Sequence, residues 1–195
     1  MKKIVIALIG IMVLGVVVNA LLPSISSAKD FKHINYTEAF DQKESEYFVY
    51  FYQDSCGLCQ QFSPELVSHY SENKTPIYVV DLGAEENLDA WYDWEAHNEA
   101  YTKVIGRVKG EEKIYNEGES AAKYPTNEGW KIYANDKDEL IAYKETAENN
   151  QAPQNAEELD VAGTPALLKI KNGEFAGYTE GLDKSRQLLA TYGQE

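Results

Sequence analysis

Phe48-Val49-Tyr50-Phe51-Tyr52-Gln53-Asp54-Ser55-Cys56-Gly57-Leu58-Cys59 is the stretch whose reading decides the fold. Its first five residues form an aromatic and β-branched run with almost no polar alternation, the pattern of a strand buried on both faces. The polar turn after them carries the chain's only two cysteines. A strand that delivers Cys-x-x-Cys to a helix start sets the first sulfur among unpaired backbone N–H groups, at the positive end of the helix dipole. A thiolate is stabilised and reactive there. A zinc site would need further ligands, and His33, His69 and His97 stand far apart without ligand spacing. A purely structural disulfide over so short a loop would restrict the unfolded chain little. The spacing therefore reads first as a redox pair.

Outward from the cysteines, Leu58, Cys59, Phe62, Leu66, Val67 and Tyr70 recur at helical intervals, with Pro64 inside, where it should kink the helix. Pro76 to Asp81 is a second buried strand after the Asn73-Lys74-Thr75 turn. Strand, helix and parallel strand make a βαβ unit, and chemistry in open α/β sheets sits at the carboxyl end of such strands. Upstream, Ile34, Tyr36, Ala39 and Phe40 predict a short amphipathic helix within Asp30 to Phe40.

The chain of 195 residues has enough apolar residues for one ample domain, and its formal charge of −14 argues against nucleic acid or anionic lipid as a partner. Residues 1–28 are a different material. Lys2 and Lys3 precede an uncharged run from Ile4 to Leu22, and small residues at Ser26 and Ala28 suit cleavage after Ala28. The run also approaches the roughly 20 residues that span a bilayer. A cleaved signal peptide and a retained membrane anchor (residues 4–22) both fit, and in either case residues 29–195 are expected to be extracytoplasmic, membrane-anchored or secreted. In an oxidising compartment a structural framework usually shows several widely spaced cysteines. One close pair is suited to exchange with other proteins.

Near the other end, Glu157 to Val161 reads as a short helix broken by Gly163-Thr164-Pro165, and Ala166 to Ile170 as a strand. Asn172-Gly173 signals a hairpin to an antiparallel strand, Phe175 to Thr179. Gly181 ends that strand, and Asp183 is expected to cap a last helix bearing Leu188, Leu189 and Tyr192.

Two of these stretches resemble the thioredoxin-like superfamily. Phe48 to Pro64 is similar to the thioredoxin active-site strand, redox turn and Pro-kinked helix, and Gly163 through Gly181 is similar to the family's cis-proline loop and C-terminal hairpin. The resemblance implies an α/β thioredoxin-like fold, a mixed central sheet flanked by helices, with a large insertion at about 85–153 ahead of the cis-proline loop. It implies an exported bacterial thiol–disulfide oxidoreductase and, by analogy, one of the bacteriocin-accessory kind. On that likeness Cys56 is the nucleophile and Cys59 the resolving thiol. Pro165 would be the cis-proline facing them, with the Thr164 backbone pairing with an extended client and Gly57 and Leu58 beside the sulfurs. The implied partners are extracytoplasmic proteins or peptides with thiols or disulfides, together with a redox partner. No metal or cofactor is implied.

Three positions depart from the family pattern. Ser55 stands where thioredoxins usually carry Trp, and Gly57-Leu58 replaces Gly-Pro, losing the pre-set φ of proline at the helix start. Tyr50 fills the place of the buried acid that takes the resolving thiol's proton, so that task falls to water or to another carboxylate, Asp54 or one from the insertion. With no His, Lys or Arg inside the motif, an extreme oxidant is not expected.

Within the insertion, a helix is predicted from about Glu85 to Tyr101. Short strands are expected over Val104 to Val108, Lys113 to Tyr115, Trp130 to Ala134 and Leu140 to Tyr143, and Glu148 to Pro153 is a polar return segment. Its aromatic residues, among them Trp91, Trp94 and Trp130, either pack against the main sheet as core and lid or line a client groove over Cys56. The second option carries an alternative function: a non-catalytic interaction protein that binds through this acidic, aromatic segment.

Overall fold

Strand β1 (Lys32–His33) and strand β2 (Glu46–Tyr52) lead to helix α1 (Gly57–Asn73) and strand β3 (Ile77–Asp81) in the computed structural model, which describes residues 25–194. The apolar run Ile4 to Leu22 lies outside the described residues. Among those described, no helix is long and apolar enough to cross a membrane. Helix α2 (Trp94–Tyr101) comes next, and then four strands: β4 (Thr102–Lys109), β5 (Glu112–Tyr115), β6 (Trp130–Ala134) and β7 (Glu139–Lys144). Strands β8 (Ala166–Lys171) and β9 (Glu174–Glu180) and helix α3 (Leu182–Leu189) complete the chain.

The main sheet has the order β1-β3-β2-β8-β9. It is mixed: β3 runs parallel to β2, while β8 pairs antiparallel with β2 and β9 with β8. Strand β2 is central, and successive residues enter opposite layers, as the two-residue period of a strand requires. Tyr47, Val49 and Phe51 join one buried cluster with Val80, Leu168 and Ile170. Phe48, Tyr50 and Tyr52 join the other with Cys59, Phe62, Leu66 and Leu167. Helices α1 and α3 cover this second layer, tied together by the Arg186 guanidinium on the Glu65 carboxylate at 2.6 Å. The first layer is closed by 3₁₀ turns, including Tyr36–Glu38 and Glu85–Ala90, and by Trp91.

At the β8–β9 hairpin, Asn172 (φ 55°) and Gly173 (φ 80°) take the two left-handed conformations that a two-residue primed turn demands. On β8, Lys169 is 5% exposed and is held by Glu46 at 2.8 Å and by the Thr191 carbonyl at 2.8 Å.

Four sequence expectations need correction. Glu157 to Val161 is not a helix: a 3₁₀ turn, Ala156–Glu158, gives way to extended Leu159, and Val161 forms a parallel bridge with Trp91. Asp30 to Phe40 is not a helix: Lys32 and His33 pair in parallel with Tyr78 and Val79, and the 3₁₀ turns Ala28–Asp30 and Tyr36–Glu38 flank them. Ladder pairing with β3 captures backbone groups that an isolated helix would have used. The helix expected over Glu85 to Tyr101 is divided into a 3₁₀ segment, Glu85–Ala90, and α2. Trp91 leaves the axis to bridge Val161, and Asp93 restarts the helix by accepting the Ala96 N–H at 2.8 Å. Asp183 does not cap α3: Gly181, at φ 87°, takes the N-cap position, and Asp183 pairs with Arg186 in the first turn.

Strands β4 to β7 form a separate antiparallel sheet of order β5-β4-β7-β6. Ile105, Leu140 and Ala142 make its small core, with Tyr124 and Trp130 against it. Gly106 is required there, because a Cβ would lie 2.2 Å from the Ile114 carbonyl oxygen across the β4–β5 pair. Helix α2 is fastened to β7 by His97, which is 3% exposed. Its Nε2 lies 2.9 Å from the Lys144 carbonyl and its Nδ1 2.6 Å from the Tyr92 hydroxyl. A carbonyl only accepts, so Nε2 carries the proton and Nδ1 accepts from Tyr92.

Candidate redox site

The site begins where β2 runs out. The Cys56 N–H donates to the Gln53 carbonyl (3.1 Å), turning the chain, and Cys56 becomes the N-cap of α1 with extended backbone angles. Its sulfur occupies the place of a capping oxygen and receives the Cys59 N–H at 3.0 Å. An N-cap acceptor satisfies one of the helix's orphan donors, and a negative sulfur there gains from the dipole as well. Cys56 and Cys59 form a disulfide, with Cα atoms 5.2 Å apart. Cys56 is half-buried, whereas Cys59 is 4% exposed. Only the first sulfur is open to a partner molecule.

Facing it is the loop that enters β8. The Thr164–Pro165 peptide is cis, and the Thr164 carbonyl oxygen stands 3.4 Å from Cys56 Sγ. In the disulfide that sulfur has no proton, so this is a close approach; in the dithiol the same geometry lets the thiol donate. Pro165 is buried, Thr164 half-buried, and Gly57 and Leu58 are exposed on the rim beside Ser55. Leu58 is 45% exposed, an apolar side chain offered to solvent next to the reactive sulfur.

Below the disulfide lies Tyr50, 1% exposed, stacked on Tyr52 and meeting Phe62 edge-on. Its hydroxyl donates to the Cys59 carbonyl at 3.3 Å, and burial raises its pKa far above the ordinary phenol value. Tyr50 therefore holds its proton and cannot take one from Cys59. Burial likewise pushes Tyr52 up to about 12. A cleft of about 250 Å³ opens beside Cys59, lined in part by Lys29, Tyr50, Tyr52, Asp54 and Ser63. Its carboxylate, Asp54, is exposed and paired with Lys29 at 2.6 Å. The lining comes from residues 27–29 and 50–63, and no residue of the segment between β3 and β8 takes part.

The aromatic residues between β3 and β8 pack elsewhere. Trp91 packs on the main-sheet core and donates its indole N–H to the Leu82 carbonyl at 2.8 Å. Tyr92, Trp94, His97 and Tyr101 make edge and tilted contacts along α2, and Trp130 joins Tyr101 and Tyr124. Among the described residues, no group of three or more His, Cys, Asp or Glu side chains could hold a metal ion. Sequence reasoning did not single out Lys29, which lies outside both resemblance motifs, or Ser63, which lies within Phe48 to Pro64 as a helical residue with no local signal to mark it.

The family model described as Thioredoxin matches residues 27–122, a span that takes in the strand, the cysteine pair and α1. The chain thus carries a thioredoxin domain over residues 27–122. Its sheet order and cis-proline loop lie partly beyond the matched residues and complete the same fold. Among solved structures it is similar to mitochondrial thioredoxin 3 of Saccharomyces cerevisiae in its oxidized form, at 11% identity and TM-score 0.41, covering 83% of this chain and 93% of that one. Thioredoxin f2 of Chlamydomonas reinhardtii gives 13% identity and TM-score 0.41, over 85% and 98% of the two chains. No curated protein sequence matches the chain. A thioredoxin domain with a cysteine pair joined at the helix start is a thiol–disulfide oxidoreductase.

Proposed function

We propose that this thioredoxin-like protein is exported and exchanges disulfides with secreted or surface proteins through Cys56 and Cys59. The observation that carries the reading is the unequal pair: a half-open Cys56 sulfur at the helix N-cap, 3.0 Å from the Cys59 N–H, above a buried Cys59. In the reducing direction, the Cys56 thiolate attacks a client disulfide and one client sulfur leaves as thiolate. The Cys59 thiolate then attacks Cys56 Sγ, releasing the second client thiol and leaving the Cys56–Cys59 disulfide. In the oxidising direction the same steps run backwards, the client dithiol being oxidised and the pair reduced. Thr164 offers its backbone to an extended client, Pro165 faces the sulfurs, and Gly57 and Leu58 form the apolar rim. Secreted disulfide-bonded peptides of the bacteriocin kind are the narrower client class that the sequence resemblance names.

Export rests on Lys2, Lys3 and the run Ile4 to Leu22. Contacts made by residues 26–30 favour retention of that run as a tether. Ala28 is 4% exposed and donates its N–H to Ser63 Oγ at 2.7 Å, and Ser26 and Ser27 both hold the Asp30 carboxylate. Cleavage after Ala28 would remove all of these contacts.

Trapping tests the reading. With Cys59→Ala, Cys56 cannot be released by its neighbour, so mixed disulfides with extracytoplasmic proteins should accumulate in the membrane fraction and vanish in the Cys56→Ala/Cys59→Ala double variant. Partner binding that persists with no disulfide adduct would favour the interaction-protein alternative.

A further inference from the structure

The loop that faces Cys56 is held almost entirely by side chains and backbone from outside it. The Val161 N–H donates to the Ala90 carbonyl (2.8 Å), and the Val161 carbonyl accepts the Tyr92 N–H (3.1 Å). At the next residue both peptide groups are taken by side chains. The Ala162 N–H donates to Glu180 Oε1 at 2.8 Å, and the Ala162 carbonyl accepts from Trp94 Nε1 at 3.0 Å. Beyond the loop, the Gly181 N–H donates to the Pro165 carbonyl at 2.8 Å. Between these ties lie Gly163 and Thr164. Among the described residues their backbone groups have no intramolecular partner apart from the Thr164 carbonyl's approach to Cys56 Sγ.

The two clamping side chains are themselves fixed. Glu180 Oε1 also accepts the Tyr178 hydroxyl at 2.7 Å and Asn149 Nδ2 at 2.8 Å, so three donors converge on one oxygen. The Trp94 ring meets Tyr92 and His97 edge-on, with centroids 5.1 and 5.0 Å away. Trp94 and Asn149 belong to the insertion, residues 85–153, which thus reaches the redox site through the loop and not across the sulfurs.

We propose that Trp94 and Glu180 are positioning residues of the exchange reaction: by gripping the two sides of the Ala162 peptide they aim the unpaired Gly163–Thr164 backbone at a client strand. The inference rests on the client-pairing role of Thr164 in the proposed function. Buried peptide groups need partners, and Ala162 has one on each side supplied by distant parts of the chain. A client that pairs with a fixed loop avoids the ordering cost that a slack loop would impose on binding.

The test uses single-turnover reduction of insulin by the reduced protein, beside hydroxyethyl disulfide, which has no peptide backbone to pair. Trp94→Phe removes the indole N–H and keeps a ring; Glu180→Ala removes the acceptor and Glu180→Gln keeps one. We expect Trp94→Phe and Glu180→Ala each to raise the half-saturating insulin concentration about tenfold, the equivalent of one hydrogen bond. Hydroxyethyl disulfide rates and the redox potential should stay within about twofold, and Glu180→Gln should restore most of the insulin affinity. Unchanged insulin saturation, or a parallel loss with both disulfides, overturns the proposal. If the wild-type protein fails to reduce insulin, the client reading itself falls, and amide exchange then decides the clamp. Faster exchange at Ala162 in Glu180→Ala but not in Glu180→Gln supports it, and equal exchange in all three overturns it.

Discussion

Cys56 and Cys59 differ in their surroundings more than in their chemistry. One sulfur is half-open and receives a helix-start N–H; the other is 4% exposed beneath the first turn. Thiolate character and access both favour the first. In the reduced protein, limited iodoacetamide treatment and peptide mass analysis should therefore show Cys56 modified at least about tenfold faster than Cys59; equal labelling would contradict the assigned roles. This asymmetry was legible in the sequence, because a strand, a turn and a helix start are local features of residues 48–59. The loss of the buried acid was legible too, at Tyr50. The sequence did not show what Tyr50 does instead, namely donate to the Cys59 carbonyl while burial keeps its hydroxyl protonated. The grip of Trp94 on Ala162 was also hidden, because the two residues are 68 positions apart and only the tertiary fold joins them.

At the scale of elements, strands were more legible than helices. β2 is a continuous apolar run from Tyr47 on, β8 is an apolar run interrupted only by Lys169 before its final lysine, and β9 comes after an Asn-Gly turn, so composition and turn chemistry place them. Helical spacing misled at Asp30 to Phe40 and at Glu85 to Tyr101, since apolar residues three and four apart also serve 3₁₀ turns that a neighbouring strand holds in place. The pairing of β2 and β8 includes one charged contact, Lys169 with Glu46 at 2.8 Å. Desolvation raises the pKa of Glu46, but the hydrogen bonds from Lys169 and the Gly193 N–H outweigh it, and the carboxyl lies below its ordinary value. A carboxyl whose folded pKa is depressed contributes stability above its unfolded pKa and loses it as pH falls through the folded one. The stability difference between wild type and Glu46→Gln, from denaturant unfolding, should thus be largest near about pH 7 and shrink by about pH 3. A difference that grows towards acid would contradict this. Lys169→Met, which leaves Glu46 without its cation, should cost about 2 kcal/mol at neutral pH, less than a fully buried pair because Glu46 keeps some solvent.

At the scale of the whole molecule, a thioredoxin-like core carries the sulfurs, and a second sheet is attached through the cis-proline loop. The contacts of Ala90, Tyr92 and Trp94 with Val161 and Ala162 join the two parts at the point that faces the redox pair. The fold class was legible because both flanking motifs lie in the core; the docking of the second sheet was not, because short β-like runs in the sequence carry no signal of where their sheet will sit. The formal charge of −14 makes the surface repel other polyanions. Nothing in the Cys56-Gly57-Leu58-Cys59 turn adds a cation to drive the thiol to an extreme, so the pair should be a reversible couple whose direction is set by its partners. Equilibrating residues 25–195 against glutathione and dithiothreitol buffers, with the disulfide fraction read at each ratio, tests this directly. One two-electron transition is expected, lost in Cys59→Ala, at a potential well below about −120 mV, where the strongest protein oxidants lie. A potential at that extreme, or a disulfide that does not titrate against either buffer, would contradict it.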